Sequence, residues 1–83
     1  MPDFKVGKIT HYYDKIGVAV VELTDTINVG DTIKISGHGR EFTQPIGSIQ
    51  IEHEQVQEAK KGQAIGLKVE EEAKEGDEVF KVT

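Results

Sequence analysis

The chain has 83 residues, a net charge of −5 and no cysteine. A domain of this size buries only about 60–65% of the surface that its unfolded chain exposes, so we expect one domain, residues 1–83, with a small core and no deep catalytic cleft. The lack of cysteine excludes disulfides, thiolate metal ligands and a cysteine nucleophile. The negative charge argues against nucleic-acid binding by the whole surface.

The first half of the sequence predicts three strands separated by turns. Residues 4–13 predict a strand, residues 14–17 a turn, and residues 18–23 a second strand whose nearly continuous apolar run is typical of burial on both faces or of a central position. Polar residues 24–28 lead to Gly30-Asp31, a turn signal because Gly tolerates positive φ and Asp can accept hydrogen bonds from nearby backbone groups. A third strand follows at residues 32–36.

The second half continues the strand pattern. Residues 37–40 contain two glycines and predict a hairpin loop. Residues 41–51 are extended, and Pro45 marks a sheet edge or a bulge because it cannot donate a ladder hydrogen bond. Residues 52–61 have a helix-forming composition but few apolar positions, so we expect a loop with at most one helical turn. Strands at 64–69 and 79–82 follow, the last one after a second Gly-Asp turn.

Six or seven short strands with turns between them predict an all-β fold, a small antiparallel closed β-barrel. Ile65, Leu67 and Val69 are expected to face its core. Asp31 and Asp77 precede strands, so we expect them to fix turns rather than to act as catalytic acids.

Basic and aromatic side chains suggest a binding surface near the start of the chain and in the hairpin loop. Residues 1–51 hold six acids and five bases, against nine acids and five bases in residues 52–83, so a phosphate-binding face is expected in the first half. Aromatic rings can stack on bases while cations contact phosphates. The candidate nucleic-acid-binding residues are Lys5, Lys8, His11, Tyr13 and Arg40. Tyr12 and Tyr13 point to opposite faces of the strand, so one is expected in the core and the other on the surface. The alternative to nucleic-acid binding is that the exposed tyrosine covers a sheet edge.

No catalytic or metal site is predicted. The three histidines (His11, His38 and His53) lie far apart in the sequence, without the regular spacing of metal ligands. Ser36 and Ser48 alternate with core isoleucines and therefore point outward on strands, not into a concave place that gathers a nucleophile, a base and an orienting group. The longest apolar run is far shorter than the roughly 20 residues of a membrane span, and the start does not resemble a signal peptide. We therefore expect a cytoplasmic protein with no membrane partner, no metal and no cofactor.

The order of several short phrases resembles the second domain of translational GTPases such as elongation factor Tu and the initiation factors. The phrases are Val6-Gly7-Lys8-Ile9, Gly17 to Val21, Asn28 to Ile35, Gly47 to Ile51, Ala59 to Leu67 and Gly76 to Val79. The same barrel also resembles the C-terminal domain of collagenase-like peptidases.

The resemblance to translation factors implies a β-barrel that contacts RNA, the ribosome or tRNA in protein biosynthesis. It does not imply GTPase activity, because the phosphate loop G-x-x-x-x-G-K-[ST] is missing: Pro2 stands where its first glycine would be, and Ile9 where its Ser or Thr would be. No nucleotide cofactor is therefore expected. Gln50 and Glu52 match a strand that in elongation factor Tu offers a Glu and an aromatic residue to tRNA, and the aromatic partner is missing here.

Two functions remain open at the level of sequence. The first is a non-catalytic module, resembling domain II of translation factors, that binds RNA or a ribonucleoprotein. The alternative is a protein–protein interaction module akin to the detached C-terminal barrel of a collagenase-like peptidase. RNA binding predicts an affinity that falls steeply with salt, whereas protein binding predicts an exposed apolar patch. A hydrolase is a third, less favoured reading.

Overall fold

The computed structural model describes residues 4–37, 39–52 and 54–82. These residues form ten β-strands and, within these ranges, no helix. The strands are β1 (Phe4–Tyr13), β2 (Val18–Leu23), β3 (Ile27–Asn28), β4 (Thr32–Gly37), β5 (Arg40–Pro45), β6 (Ile49–Ile51), β7 (Glu54–Val56), β8 (Glu58–Ala59), β9 (Ala64–Lys68) and β10 (Glu78–Lys81). The all-β prediction is confirmed.

Eight of the strands form one sheet in the order β5-β4-β10-β1-β2-β9-β6-β7, and β3 pairs with β8 in a small second sheet. All the pairs are antiparallel. Strand alternation sends one set of side chains inward, where sixteen apolar residues are buried, among them Ile9, Ile33, Ile49, Ile65 and Leu67. Apolar burial of this kind is the main favourable contribution to folding, at about 25 cal/mol per Å².

The predicted closed barrel is wrong, because neither sheet closes on itself. The sheet instead curls until its β5 edge meets the chain that follows β9. At this junction, the Gln44 side chain makes hydrogen bonds where a closed barrel would have backbone pairing between strands. The Gln44 amide donates a hydrogen bond to the Lys68 carbonyl at 2.9 Å and accepts one from the Glu70 N–H at 2.7 Å. Pro45, which cannot donate to a ladder, ends β5 directly afterwards. The prediction that Pro45 marks a sheet edge is confirmed.

A turn motif occurs three times, and we call it the Gly-turn motif. In its first copy, the Asp31 N–H donates to the Asn28 carbonyl at 3.1 Å, and the Asp31 carboxylate accepts from the Asn28 N–H at 2.9 Å. Gly30 stands between them with a φ of 99°, which is the geometry that a type II turn requires at its third position. The carboxylate therefore fixes the turn, as the sequence predicts.

The other two copies, residues 60–63 and 74–77, repeat this arrangement with Gly62 at φ 90° and Gly76 at φ 93°. The side chains of Gln63 and Asp77 accept from the N–H groups of Lys60 and Lys74 at 2.7 and 3.0 Å. Each motif also exchanges two backbone hydrogen bonds with one buried residue of another strand or loop: Ile46 for the first copy, Leu23 for the second and Ile9 for the third. The repeated motif thus fixes three turns to the core.

One prediction about an individual segment is corrected, and one is decided between its two alternatives. Residues 52–61 contain no helical turn in their described part; they form β7 and β8, because Val56 and Ala59 pack against the core and β8 pairs with β3. The second strand is central, as predicted, since β2 pairs with both β1 and β9. The alternative, burial on both faces, does not apply, because Ala19 and Val21 point inward while Val18 and Val20 are half-buried on the outer face.

Candidate interaction surfaces

Lys5 and Lys8 line an open depression of about 620 Å³ beside β1, whose walls also include Thr10, Glu22 and Glu75. The Lys5 ammonium lies 2.8 Å from the Glu78 carboxylate, and Lys8 pairs in register with Glu22 and Glu78. The acidic neighbours oppose the positive field of both lysines. The depression is therefore mixed in charge rather than a basic groove.

Arg40 lies apart from this depression. It begins β5, and β10 and β4 stand between β5 and β1 in the sheet. Its guanidinium approaches the Glu72 carboxylate at 3.2 Å, so it ties the hairpin to the segment after β9. The fold therefore does not gather all five predicted nucleic-acid-binding residues on one surface, because Arg40 lies on β5 and the other four on β1.

His11 and Tyr13 lie together on the outer face of β1, with ring centroids 4.4 Å apart in an edge-to-face arrangement. Tyr13 is 49% exposed, whereas Tyr12 packs against the core, which confirms the predicted division of the two tyrosines. The adjoining hairpin turn is held by hydrogen bonds from the N–H groups of Ile16 and Gly17 to the Tyr13 carbonyl. The Lys68 ammonium also donates to the Ile16 carbonyl at 3.2 Å. The rings therefore sit on a well-braced part of the sheet.

These rings belong to a larger surface that crosses four strands, which we call the neutral face. Strand pairing places His11 beside Val20, Val20 beside Gly66 and Gly66 beside Gln50; Tyr13 pairs with Val18 in the next row. A Cβ placed on Gly66 would lie 3.3 Å from Val18 Cγ1 and 3.9 Å from Gln50 Cβ, so Gly66 faces outward between them. The neutral face consists of His11, Tyr13, Val18, Val20, Gly66 and Gln50, and the exposed Lys68, which pairs with Val18, lies at its margin.

Four members of the neutral face are absent from the sequence-based candidates: Val18, Val20, Gly66 and Gln50. The continuous apolar run that contains the two valines does not show which of its positions face outward. The sequence therefore does not identify Val18 and Val20 as surface residues. The sequence does not mark Gly66 as part of this surface, because its position becomes apparent only when its neighbours on β2 and β6 are known.

Within the part of the chain that the structure describes, no three His, Asp or Glu side chains are placed to hold one metal ion. The same residues include no helix that is long and apolar enough to span a membrane. Of the three histidines considered as metal ligands, His38 and His53 lie outside the described residues.

No family model matches the sequence. The chain is, however, 36% identical over 77 residues to an uncharacterized protease of Methanocaldococcus jannaschii and 32% identical over 78 residues to a collagenase of Porphyromonas gingivalis. Each match covers 92% of this chain but only 19% and 22% of those proteins, so the chain spans about a fifth of the length of these curated relatives.

Two crystal structures show the same fold. They are a native form and a selenomethionine variant of the C-terminal domain of a Geobacillus thermoleovorans protein assigned to the U32 peptidases. The native form superposes with a TM-score of 0.89 at 24% identity and covers 98% of this chain and 93% of that domain. The variant gives a TM-score of 0.86 at 23% identity and covers 90% and 95%.

The comparisons overturn the resemblance to translation factors, because the homologues are proteases and C-terminal domains of U32 peptidases. The assignment to protein biosynthesis is therefore wrong. The second resemblance, to the C-terminal domain of collagenase-like peptidases, fits these homologues.

Proposed function

We propose that this chain is the β-domain that accompanies U32-type peptidases and that it acts by binding polypeptide rather than by catalysis. The observation that carries the proposal is the extent of the matches: nearly the whole chain aligns with only a fifth of each protease. About four fifths of each relative lies outside this domain. We place peptide-bond hydrolysis in that remainder and polypeptide binding in the β-domain.

The surface supports a binding role. Tyr13 and Ile16 are 49% and 58% exposed at one end of the neutral face, and Val18 and Val20 lie beside them, half-buried. Exposed aromatic and aliphatic side chains that adjoin each other are typical of protein-binding sites. The hydrogen bonds of the turn after Tyr13 and the Lys68 contact hold this end of the surface in place, which lowers the entropy lost on binding.

A domain exchange tests the proposal. In the Porphyromonas gingivalis collagenase, the matching 78 residues are deleted or replaced by this chain, and hydrolysis is measured on collagen and on a short synthetic peptide that the intact enzyme cleaves. We expect the deletion to lose most of the collagen activity while it retains cleavage of the short peptide. The exchange should restore collagen hydrolysis.

A matched control carries Ile33→Asp in the exchanged domain, which places a charge in the core and should abolish the restoration. If the exchanged enzyme is no more active on collagen than the deletion, this chain does not perform the role of the relatives' domain and the proposal fails. It also fails if the isolated chain itself cleaves the short peptide.

A further inference from the structure

A second concave surface lies at the start of β1, and we call it the Phe4 pocket. It has a volume of about 290 Å³ and is lined by Phe4, Val6, Asp25, Thr26, Asn28 and Lys81. Val6 is buried, whereas Phe4 is 53% exposed. The rings of the neutral face belong to the other end of the same strand, at His11 and Tyr13. The Phe4 pocket is therefore a separate surface that combines an apolar floor with an exposed aromatic ring.

The backbone around the Phe4 pocket is held by hydrogen bonds. The N–H groups of Thr24 and Asp25 donate to the Val6 carbonyl at 2.8 and 3.3 Å, which ties the segment after β2 to β1. Lys81 is held by an ion pair with Asp31 at 3.3 Å. Walls that are already fixed lose little conformational entropy when a partner fills the pocket.

Two polar side chains of the Phe4 pocket have unused hydrogen-bonding capacity. Thr26 and Asn28 are half-buried, and within the described ranges neither side chain takes part in a hydrogen bond. The Thr26 hydroxyl and the Asn28 amide can each donate and accept. An apolar centre with adjoining polar groups is the usual composition of a contact surface between proteins or domains.

The Phe4 pocket also adjoins the point where the chain enters the fold, because Phe4 is the first residue of β1. In the Geobacillus thermoleovorans protein, the same fold is the C-terminal domain, so the rest of that protein precedes it. In that protein, the preceding part is therefore connected next to the position that the Phe4 pocket occupies here. About four fifths of each curated relative lies outside the matched region.

We propose that the Phe4 pocket docks the peptidase part of a U32-type peptidase, which inserts an apolar side chain against Phe4; the inference rests on the proposed function and names the surface that joins the two parts. A part connected through a short flexible linker has an effective concentration in the millimolar range. A contact with a dissociation constant of about 1 mM is then occupied roughly half of the time or more. A small pocket with one aromatic anchor is therefore sufficient.

Two other occupants fit the Phe4 pocket less well. Small-molecule sites usually have volumes of about 300–1,000 Å³ and bury most of the ligand, whereas this pocket is slightly smaller and leaves its aromatic ring exposed. A second copy of this chain also has a net charge of −5, so repulsion between the copies opposes association. A part connected to the domain needs neither a deep pocket nor a high intrinsic affinity.

The test is hydroxyl-radical footprinting with mass spectrometry, which measures how fast each exposed ring is oxidised. The isolated 83-residue chain is compared, without collagen, with the Porphyromonas gingivalis collagenase that carries this chain in place of its own 78 residues. Tyr13 is the internal control, because it is 49% exposed and lies outside the Phe4 pocket. We expect oxidation of Phe4 to fall at least about threefold in the exchanged enzyme, since interface anchors are desolvated. Oxidation of Tyr13 should stay the same.

Substitutions extend the test to the backbone around the pocket. Hydrogen exchange in residues 4–7 and 24–28 should be at least about threefold slower in the exchanged enzyme than in the isolated chain. Phe4→Ser should remove this added protection and leave exchange in the isolated chain nearly unchanged, because an exposed side chain contributes little to stability. Ile16→Ser is the matched control, because Ile16 is 58% exposed but lies outside the pocket. It should retain the added protection.

Three results would overturn the inference: equal oxidation of Phe4 in both proteins, protection of Tyr13 equal to that of Phe4, or loss of the added protection in Ile16→Ser as well. The collagen assay separates these outcomes from the larger proposal. If the exchanged enzyme hydrolyses collagen but Phe4 stays exposed, only the docking surface is wrong. If Phe4 is protected but collagen hydrolysis is not restored, the docking surface stands and the role in binding polypeptide is wrong.

Discussion

The three Gly-turn motifs provide a test of how burial sets the strength of a hydrogen bond. Replacing Asp77, Asp31 or Gln63 by Ala removes one hydrogen bond of the same kind each time, in which a side-chain oxygen accepts from the N–H three residues earlier at 2.7 to 3.0 Å. The two aspartates lose further interactions as well. Geometry is nearly constant across the series, whereas burial is not. Asp77 is 5% exposed, Asp31 is half-buried and Gln63 is exposed.

Burial and charge together set the expected costs. A hydrogen bond to a charged group contributes about 1.5–3 kcal/mol, and a neutral one about 0.5–1.5 kcal/mol. Asp77→Ala should lose the most, about 2–3 kcal/mol, because it leaves a partly buried N–H without its acceptor. Asp31→Ala should lose about 1–2 kcal/mol, including its ion pair with Lys81 at 3.3 Å. Gln63→Ala should lose about 0.5 kcal/mol, since water replaces the amide.

Urea unfolding of the three variants measures these differences as shifts in the midpoint at constant slope. In a domain of this size, each 1 kcal/mol should also lower the melting temperature by about 4–8 °C. Asp77→Asn is the matched control, because its amide oxygen can still accept from the Lys74 N–H. The reasoning is refuted if Gln63→Ala destabilises the domain as much as Asp77→Ala, because burial and charge together would then not decide the cost.

Two further predictions concern close packing and the junction at the β5 edge. Gly37→Ala should destabilise the domain by about 1–3 kcal/mol in urea unfolding, because a Cβ at residue 37 would overlap the Asp77 carboxylate and lie 3.1 Å from the Asp77 Cα. Gly47→Ala is the control, because a Cβ at residue 47 would have no atom within 4 Å. An equal loss of stability in the control would contradict the argument. Gln44→Leu should cost about 1–3 kcal/mol by leaving the Glu70 N–H and the Lys68 carbonyl unpaired. Hydrogen exchange at the Glu70 amide should accelerate in that variant, and an unchanged rate would show that Gln44 does not join β5 to this segment.

Local patterns predicted the strands that form the larger sheet with good accuracy. Alternation along residues 64–69 places Ile65, Leu67 and Val69 inward, and all three are buried. Local patterns failed for residues 52–61, where the composition favours helix but Val56 and Ala59 gain more by packing on the core as parts of β7 and β8. Intrinsic propensity is worth less than 1 kcal/mol per residue, so tertiary burial of this kind outweighs it.

The candidate binding residues also divide into features that local patterns predict and features that depend on the tertiary structure. Tyr13 and His11 are recognisable because aromatic residues beside charged ones stand out in any sequence, and the structure does bring their rings together. Lys5 and Arg40 are equally visible, but the acidic residues beside them, Glu78 and Glu72, come from distant parts of the chain. Their neutralisation follows from sheet order, which single-sequence patterns do not give.

By itself, the sequence determined the all-β class, the inward positions of Ile65, Leu67 and Val69, and the turns at Gly30-Asp31 and Gly76-Asp77, because alternation and turn chemistry act over a few neighbouring residues. Only the tertiary structure decided that the sheet stays open, that Gln44 joins its β5 edge to the chain after β9, and that Val20, Gly66 and Gln50 share one outer face. These features depend on which strands become neighbours. Strand order arises from the packing of the whole core, and no local pattern encodes it.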